Sequence, residues 1–305
     1  MLRRLVTCIL AMLFVVTLTF FMMKALPGGP FSKEKKLPPT VMANIEEKYR
    51  LNDPIFKQYS DYLWRIAKLD LGPSFRYPGS SVNDIIKRSF PVSAALGAIA
   101  VFVALTLGVT TGLVAGLRPC QMADRILVFV SAIGFSVPSF VLAGMLQHFF
   151  SFRFNLLPAA LWGSPQHAVM PVIVLAALPT AVISRLVRIQ VMEVMQQDYI
   201  IMAKAKGLPS WRLILFHVMP NALQPVITYL GPLIAAVFTG SFVVEHIFAI
   251  PGLGKYFVTS IHNRDYTLIM GVTIFYSGFL MAMNLMVDLI YALLNPQVRY
   301  PGWEE

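Results

Sequence analysis

From Pro91 to Leu117 the chain carries no charged side chain, and the first charge beyond this run is Arg118. A stretch of this kind admits few folds. About 20 apolar residues cross the roughly 30 Å hydrocarbon layer of a bilayer as a helix, because backbone groups there must hydrogen-bond to one another. A soluble protein could bury such a helix only beneath an ample polar surface, and this composition does not supply one. Hydrophobic residues make up 57% of the chain and charged residues 13%, about half the share of an ordinary soluble domain. The chain therefore reads as an all-α integral membrane protein.

Five further runs have the same character, so six transmembrane helices are predicted. They are Leu5–Met23, a segment between Arg125 and Arg153, Val169–Ser184, Pro225–Phe248 and Leu268–Leu294. The first follows Arg3 and Arg4 like a signal peptide. It is too long for one, and Lys24-Ala25-Leu26-Pro27 offers no small-x-small cleavage site, so it is read as an uncleaved anchor. The predicted organisation is an anchor helix (1–26), an outer-face segment (27–90), a membrane core (91–294) and a tail (295–305). Within 27–90, Val41–Tyr49 and the amphipathic stretch Asp53–Leu69 predict short helices, so this segment is ordered. Packing on the mouth of the membrane core and docking of an external partner are both compatible with it.

The net charge of +10 raises the question of nucleic acid, but the placement of the cations answers it. With the N-terminus inside, the short inner segments hold Arg3, Arg4, Arg118, Arg125, Arg185, Arg188, Lys204, Lys206, Arg212 and Arg299; the short outer loops hold only Arg153, Lys255 and Arg264. This is the positive-inside pattern, and it puts both termini in the cytoplasm. Segment 27–90 holds eleven Lys/Arg and seven Asp/Glu, and long loops escape the rule. The basic balance marks topology, and no nucleic-acid partner is expected.

No catalytic set stands out. Pro251-Gly252-Leu253-Gly254-Lys255-Tyr256 has Ala249 in place of the first glycine of a phosphate-binding loop and Tyr256 in place of its Ser/Thr. Glu245-His246 lacks the paired histidines of a zinc hydrolase, and Cys8 and Cys120 show no metal-ligand spacing. No cofactor or metal is expected on this chain.

Three features rise above this background. Gly108, Gly112 and Gly116 line one helix face, which suits close packing or a helix that slides during transport. Glu245, Asn284 and Asp288 lie within spans, where they serve either helix contacts or a polar pathway. The longest inner loop, 189–224, reads as a helix over Tyr199–Lys206 capped by Asp198, a left-handed Gly207, then Leu208-Pro209-Ser210 and a second helix from Trp211 to Pro220. Lys204, Lys206 and Arg212 could bind anionic lipid. The compact punctuation of the loop fits a docking platform for a cytoplasmic partner better.

This loop resembles the signature of ABC importer permeases. Ile201-Met202-Ala203-Lys204-Ala205-Lys206-Gly207 is followed by nine residues and then by His217-Val218-Met219-Pro220. Ile201 and Met202 replace the family's Glu and first Ala, and His217 and Met219 its Ile and Leu. Other stretches resemble the oligopeptide/dipeptide branch, and its oligopeptide permease B-type subunit in particular. They are Phe21–Phe31, Leu37–Ile45, Gly72-Pro73-Ser74-Phe75, Phe90-Pro91-Val92-Ser93-Ala94, Gly240–Glu245, Pro251-Gly252-Leu253-Gly254 and Asn263-Arg264-Asp265-Tyr266. The resemblance implies the type I importer fold in the bacterial inner membrane. It also implies a homologous second permease, two cytoplasmic ATPases that hold ATP and Mg, and an extracytoplasmic peptide-binding protein. Ala203, Lys204, Ala205, Lys206, Gly207, Leu208, Arg212 and Pro220 would then form the ATPase-coupling site. Dipeptides, nickel chelates or glutathione are the alternative cargoes, and an ATP-independent secondary carrier is the alternative from another class.

Overall fold

The computed structural model describes residues 2–26, 52–238 and 241–294. The helix expected at Val41–Tyr49 and the tail 295–305 lie outside the described residues. The described residues are helical nearly throughout. Helix α1 is Leu2–Ala25, α2 is Ile55–Ala67 and α3 is Val82–Leu117. Helix α4 is Met122–Ser136, and α5, Ser139–Leu146, continues as a wider π-helical turn over Gln147–Arg153. Helix α6 is Pro165–Val194 and α7 is Asp198–Ala205. The short α8, Ser210–Leu213, leads through a π turn at Ile214–Val218 into α9, Met219–Ala222. Helices α10 (Gln224–Phe238), α11 (Phe242–Ile247), α12 (Leu253–Asn263) and α13 (Tyr266–Leu294) complete the chain.

The helices overrun the apolar stretches read from sequence. Helix α3 begins at Val82 rather than Pro91 because Ser81 and Asp84 form a reciprocal cap. The Ser81 hydroxyl accepts from the Asp84 amide at 3.1 Å, and the Asp84 carboxylate accepts from the Ser81 amide at 3.2 Å. Pro91 is absorbed into the helix. Likewise α6 runs past Arg185 and Arg188, since helix geometry does not stop where the hydrocarbon does.

Five helices are individually long and apolar enough to cross a membrane, and the bent pair α4–α5 makes a sixth when counted as one span. Packing shows that this pair crosses. The glycines of α3 meet α6 in ascending order, Gly108 at Ile183, Gly112 at Ser184 and Gly116 at Val191, so α3 and α6 run parallel and the chain between them must return. Asp124, at the start of α4, pairs with Arg188, while Ser151, at the end of α5, meets Met170. Those two α6 positions lie roughly 27 Å apart at 1.5 Å per residue, about one hydrocarbon thickness. The bend of 103° falls at Val137-Pro138. Proline disfavours helical geometry in the residue before it, so one helix ends and another begins.

The main core joins α3, α6, α7, α8, α9 and α10 through Ala104, Ile183, Val187, Val191, Ile200, Leu213, Val218 and Val226. Helix α1 stands at the side of α13, where Met12 meets Gly278; its Phe14 and Met22 are exposed.

Gly108, Gly112 and Gly116 of α3 face the backbone and β-branched side chains of α6. A Cβ at Gly112 would lie 2.5 Å from the Ser184 carbonyl oxygen, and one at Gly116 would lie 2.7 Å from the Val191 Cβ. Gly112→Val should therefore push α3 and α6 apart at a cost of about 3 kcal/mol, the upper end for overpacking. The measurement is a thermal unfolding midpoint in detergent. Gly144→Ala, where a Cβ meets nothing within 4 Å, should leave the midpoint near that of the parent; equal midpoints for both variants would refute the close-packing account.

Candidate functional site

A three-residue turn takes the end of α6 into α7. Gln197, with ψ of 143°, occupies the N-cap position without a side-chain cap bond, and Asp198 is the first helical residue. The cap expected of Asp198 is thus not made; its acidic side chain sits in the first turn, where the helix dipole favours negative charge. The other end of α7 has the expected left-handed residue. Gly207 has φ of +77°, its amide donates to the Lys204 carbonyl at 2.9 Å, and the Leu208 amide donates to the Ala203 carbonyl at 3.3 Å. A Cβ at Gly207 would meet nothing within 4 Å. The restriction there is the backbone conformation and not a lack of room.

The second helix of the loop does not end at Pro220. It runs from Ser210 through the widened turn and on to Ala222. Pro220 has no N–H to give to the carbonyl four residues back, and the wider turn ahead of it accommodates that loss.

One face of this unit belongs to the core. Ile200, Leu213, Val218 and Ala222 are fully buried, and Ala203 packs against the same cluster. The Asn221 amide donates to the Tyr199 hydroxyl at 2.8 Å, tying α9 to α7. The opposite face is open. Ile201, Met202, Trp211, Leu215 and Phe216 are exposed, as are Lys204, Ala205, Lys206, Arg212 and Pro220. The Arg212 guanidinium lies 5.0 Å from the centre of the Trp211 ring. Of the residues marked from sequence, Lys204, Ala205, Lys206, Gly207, Arg212 and Pro220 are exposed, Leu208 is half-buried, and Ala203 packs against the core. An exposed apolar patch set among cations suits a macromolecular contact.

Just beside this platform, Asp124 joins α4 to α6. Its carboxylate accepts from Arg188 Nη2 at 2.9 Å and from the Cys120 amide at 2.9 Å, and its second oxygen is paired with Arg188 Nε. Sequence reasoning counted Arg188 only as a topology signal. The missed cue was that Asp124 is the sole acid between Asp84 and Glu193.

At the opposite end of the bundle two buried carboxylates organise the loops. Glu245, on α11, accepts from the Ser93 hydroxyl of α3 at 2.7 Å and from the Lys255 amide at 3.2 Å, and Ser93 Oγ accepts from the Leu253 amide at 2.8 Å. Glu245 and Ser93 thus cap α12, whose own N-cap, Gly252, has no side chain. A Cβ at Gly252 would lie 2.4 Å from Glu245 Oε2. Asp265 is also fully buried and accepts from Ser74 Oγ at 2.5 Å and from the Phe75 and Leu268 amides at 3.2 Å each. Burial, with Tyr256 and Asp265 nearby, holds the neighbouring Tyr77 phenol above its ordinary pKa.

Glu245 is therefore a helix contact enclosed on every side. Asn284 is exposed on α13, with its Oδ1 only 3.2 Å from where a Cβ at Gly231 of α10 would stand. Asp288 lies four residues on, and its side chain is outside the described residues. No group of three or more His, Cys, Asp or Glu that could hold a metal occurs among the described residues.

Binding-protein-dependent transport system inner membrane component is the family whose description matches residues 108–300, and its N-terminal companion matches residues 1–97. The chain belongs to this family. It is 46% identical to the dipeptide transport system permease protein DppB of Bacillus subtilis over 98% of this chain and 97% of that one. It is 43% identical to the oligopeptide transport system permease protein OppB of Haemophilus influenzae, over 98% of each chain, and 42% identical to the OppB of Escherichia coli K12, again over 98% of each. Among solved structures it resembles an inward-facing MetNI methionine ABC transporter, with a TM-score of 0.56, 15% identity and coverage of 69% of this chain and 96% of that one. An amino acid ABC transporter gives a TM-score of 0.54 at 13% identity, over 69% and 94%. The fold is that of type I ABC importer permeases.

Removing one partner of the Asp124–Arg188 pair leaves the other charge largely desolvated. Asp124→Ala should cost about 2–3 kcal/mol, toward the lower end because the Arg188 side chain keeps 22% exposure. Replacing both residues, Asp124→Ala with Arg188→Met, should recover most of that loss in detergent unfolding curves. A single variant as stable as the parent would show the pair to be inert.

Proposed function

We propose that this chain is one of the two membrane-spanning subunits of an ATP-driven importer that moves peptides across the bacterial inner membrane by alternating access, with both its termini in the cytoplasm. The observation that carries this reading is the two-faced platform α7–α9. Its inner face is fixed in the core by Ile200, Leu213 and Val218, and its outer face presents Ile201, Met202, Lys204, Lys206 and Trp211. A cytoplasmic ATPase seated on that outer face would pull on a lever with little internal give. Its displacement would pass into α6 across the short turn 195–197, and from α6 to α3 through the glycine contacts and to α4 through Asp124.

The remaining partners follow from this reading: a homologous second permease, a second ATPase and an extracytoplasmic peptide-binding protein. ATP and its Mg would be held by the ATPases, and this chain would hydrolyse nothing. Relatives named for dipeptide and for oligopeptide transport align over nearly the whole chain, which favours a peptide cargo over nickel or glutathione. Oligopeptides are the reading preferred here, with dipeptides as the alternative. Recognition of many peptides by one pathway must rest on backbone groups, which suits a bundle with few internal charges. Enclosure of Glu245 by Ser93 and the α12 amides supports a structural role for it over a place on the pathway.

In the importer reconstituted with its ATPases and binding protein, Gly207→Val forces a β-branched residue to φ of +77°, at a cost of about 1–2 kcal/mol in local strain. ATP-dependent uptake of a labelled tripeptide should fall roughly tenfold, the equivalent of about 1.4 kcal/mol, while membrane insertion stays intact. Undiminished uptake would remove the coupling assignment. Uptake driven by a proton or sodium gradient in this chain alone would replace the importer with a secondary carrier.

A further inference from the structure

Helix α2 is amphipathic over a wider arc than its contact with the rest of the protein uses. At 100° per residue, Tyr59, Tyr62 and Ile66 share one face with Ile55. That face meets the end of α1. The Tyr59 and Tyr62 rings lie 5.3 and 5.7 Å from Phe20, the Tyr59 ring lies 5.5 Å from Phe21, and the Tyr59 hydroxyl bonds Thr17 Oγ1 at 2.7 Å. Next to it runs a second, mainly apolar arc of Phe56, Leu63, Ala67 and Trp64, with the small Ser60 as its one polar member. No residue of α2 is fully buried; Phe56 is 81% and Trp64 65% exposed. The rest of the circumference is polar, with Lys57, Asp61, Arg65 and Lys68. The Lys68 ammonium sits 4.7 Å from the centre of the Trp64 ring, on the border between the second arc and the polar face.

We propose that the Phe56–Trp64 face of α2 is an interfacial anchor that lies in the headgroup layer of the membrane. Three observations select lipid as its occupant. The first is depth: Lys24, the charge that closes α1, bonds Gln58 of α2, so α2 meets the first span where hydrocarbon gives way to headgroups. The second is continuity. Phe14, Leu18, Phe21 and Met22 of α1 are exposed on a helix that stands in the bilayer, and Phe21 is itself in ring contact with Tyr59, so the lipid-facing surface of α1 extends directly onto α2. The third is chemistry. Aromatic rings bordered by long cationic side chains, with Lys68 laid over Trp64, match the polarity gradient of a membrane interface, where the ring enters and the ammonium reaches back to water and phosphate. The anchor would hold the level of the segment that leads through residues 69–81 to the Asp265 junction.

The test uses the full chain in lipid nanodiscs and takes the difference in tryptophan emission between the parent and Trp64→Phe, which isolates Trp64 while the other tryptophans stay native. Lipids brominated close to the glycerol should quench the Trp64 signal by roughly half, as contact with a headgroup-level ring requires, and lipids brominated at the chain ends should quench it less. The same quenching should persist after the second permease, the ATPases and the binding protein are added. Absence of quenching by either lipid would overturn the proposal in favour of a water-facing helix. Quenching that disappears on assembly would overturn it in favour of a protein-covered face. Neither result depends on cargo or on ATP hydrolysis, so failure here leaves the importer reading untouched.

Discussion

The close approach of α3 and α6 sets the frame on which the other helices are hung. Two helices inside a bilayer gain nothing by withdrawing apolar side chains from lipid, so their association rests on packing and on the few polar bonds they can make. Gly108, Gly112 and Gly116 remove side chains along two turns of α3 and let it lie against Ile183, Ser184, Val187 and Val191. The two helices are parallel, which compels the chain between them to re-cross, and the bent pair α4–α5 is the answer to that requirement. The bend at Pro138 is therefore compatible with a full span, because the endpoints of the pair, at Arg188 and Met170, are set by α6.

Polar bonds then hold each end of this frame in a different way. At the end bearing residues 71–81 and 241–266, two buried carboxylates are surrounded by donors. Glu245 collects Ser93 and an amide from the start of α12, and Asp265 collects Ser74 and the amides around it. A carboxylate enclosed by amides and hydroxyls needs no cation, and it draws together segments that are far apart in sequence. At the other end the ion pair Asp124–Arg188 stands among the described residues, and beyond it a surface is left open. The first arrangement fastens loops to helices. The second braces α4 against α6, about two turns before α6 leads into the platform.

The apolar spans were legible in the sequence because charge and hydropathy are local properties, and the loop 198–222 was legible because Gly207 and Pro209 punctuate it. Two kinds of information were not. Helix ends were misplaced by several residues, as at Val82, since a cap such as Ser81–Asp84 can start a helix well outside the hydrocarbon. The polar junctions were visible only as separate short stretches. Phe90–Ala94, Gly240–Glu245 and Pro251–Gly254 carried a family resemblance with no stated relation to one another, and so did Gly72–Phe75 and Asn263–Tyr266. Folding brings the first three together at Glu245 and the last two at Asp265. Pairings across 152 and 191 residues are not encoded in any local pattern; the oddity of an acid in apolar surroundings marks Glu245, whereas Asp265 lies in the polar stretch His262–Thr267 and carries no such mark.

This division of labour has a mechanical consequence. A lever transmits force only if it is stiffer than what it moves and if the far end cannot simply slip. For the platform proposed as that lever, the first condition rests on Ile200, Leu213 and Val218, which seat it in the same core as Val187 and Val191 of α6. The far end meets the second through the Glu245 and Asp265 junctions, which bind loops to α3, α12 and α13 by directional bonds. Between them the contacts are mostly apolar and close. They resist separation of the helices and, apart from the buried Ser131–Ser184 hydroxyl pair that joins α4 to α6 at 3.2 Å, offer little directional restraint against small rotations about the helix axes. Motion applied at α7 is therefore expected to emerge at the opposite end as a displacement of whole helices with their attached loops. That is the kind of movement by which a bundle could open first to one side of a membrane and then to the other.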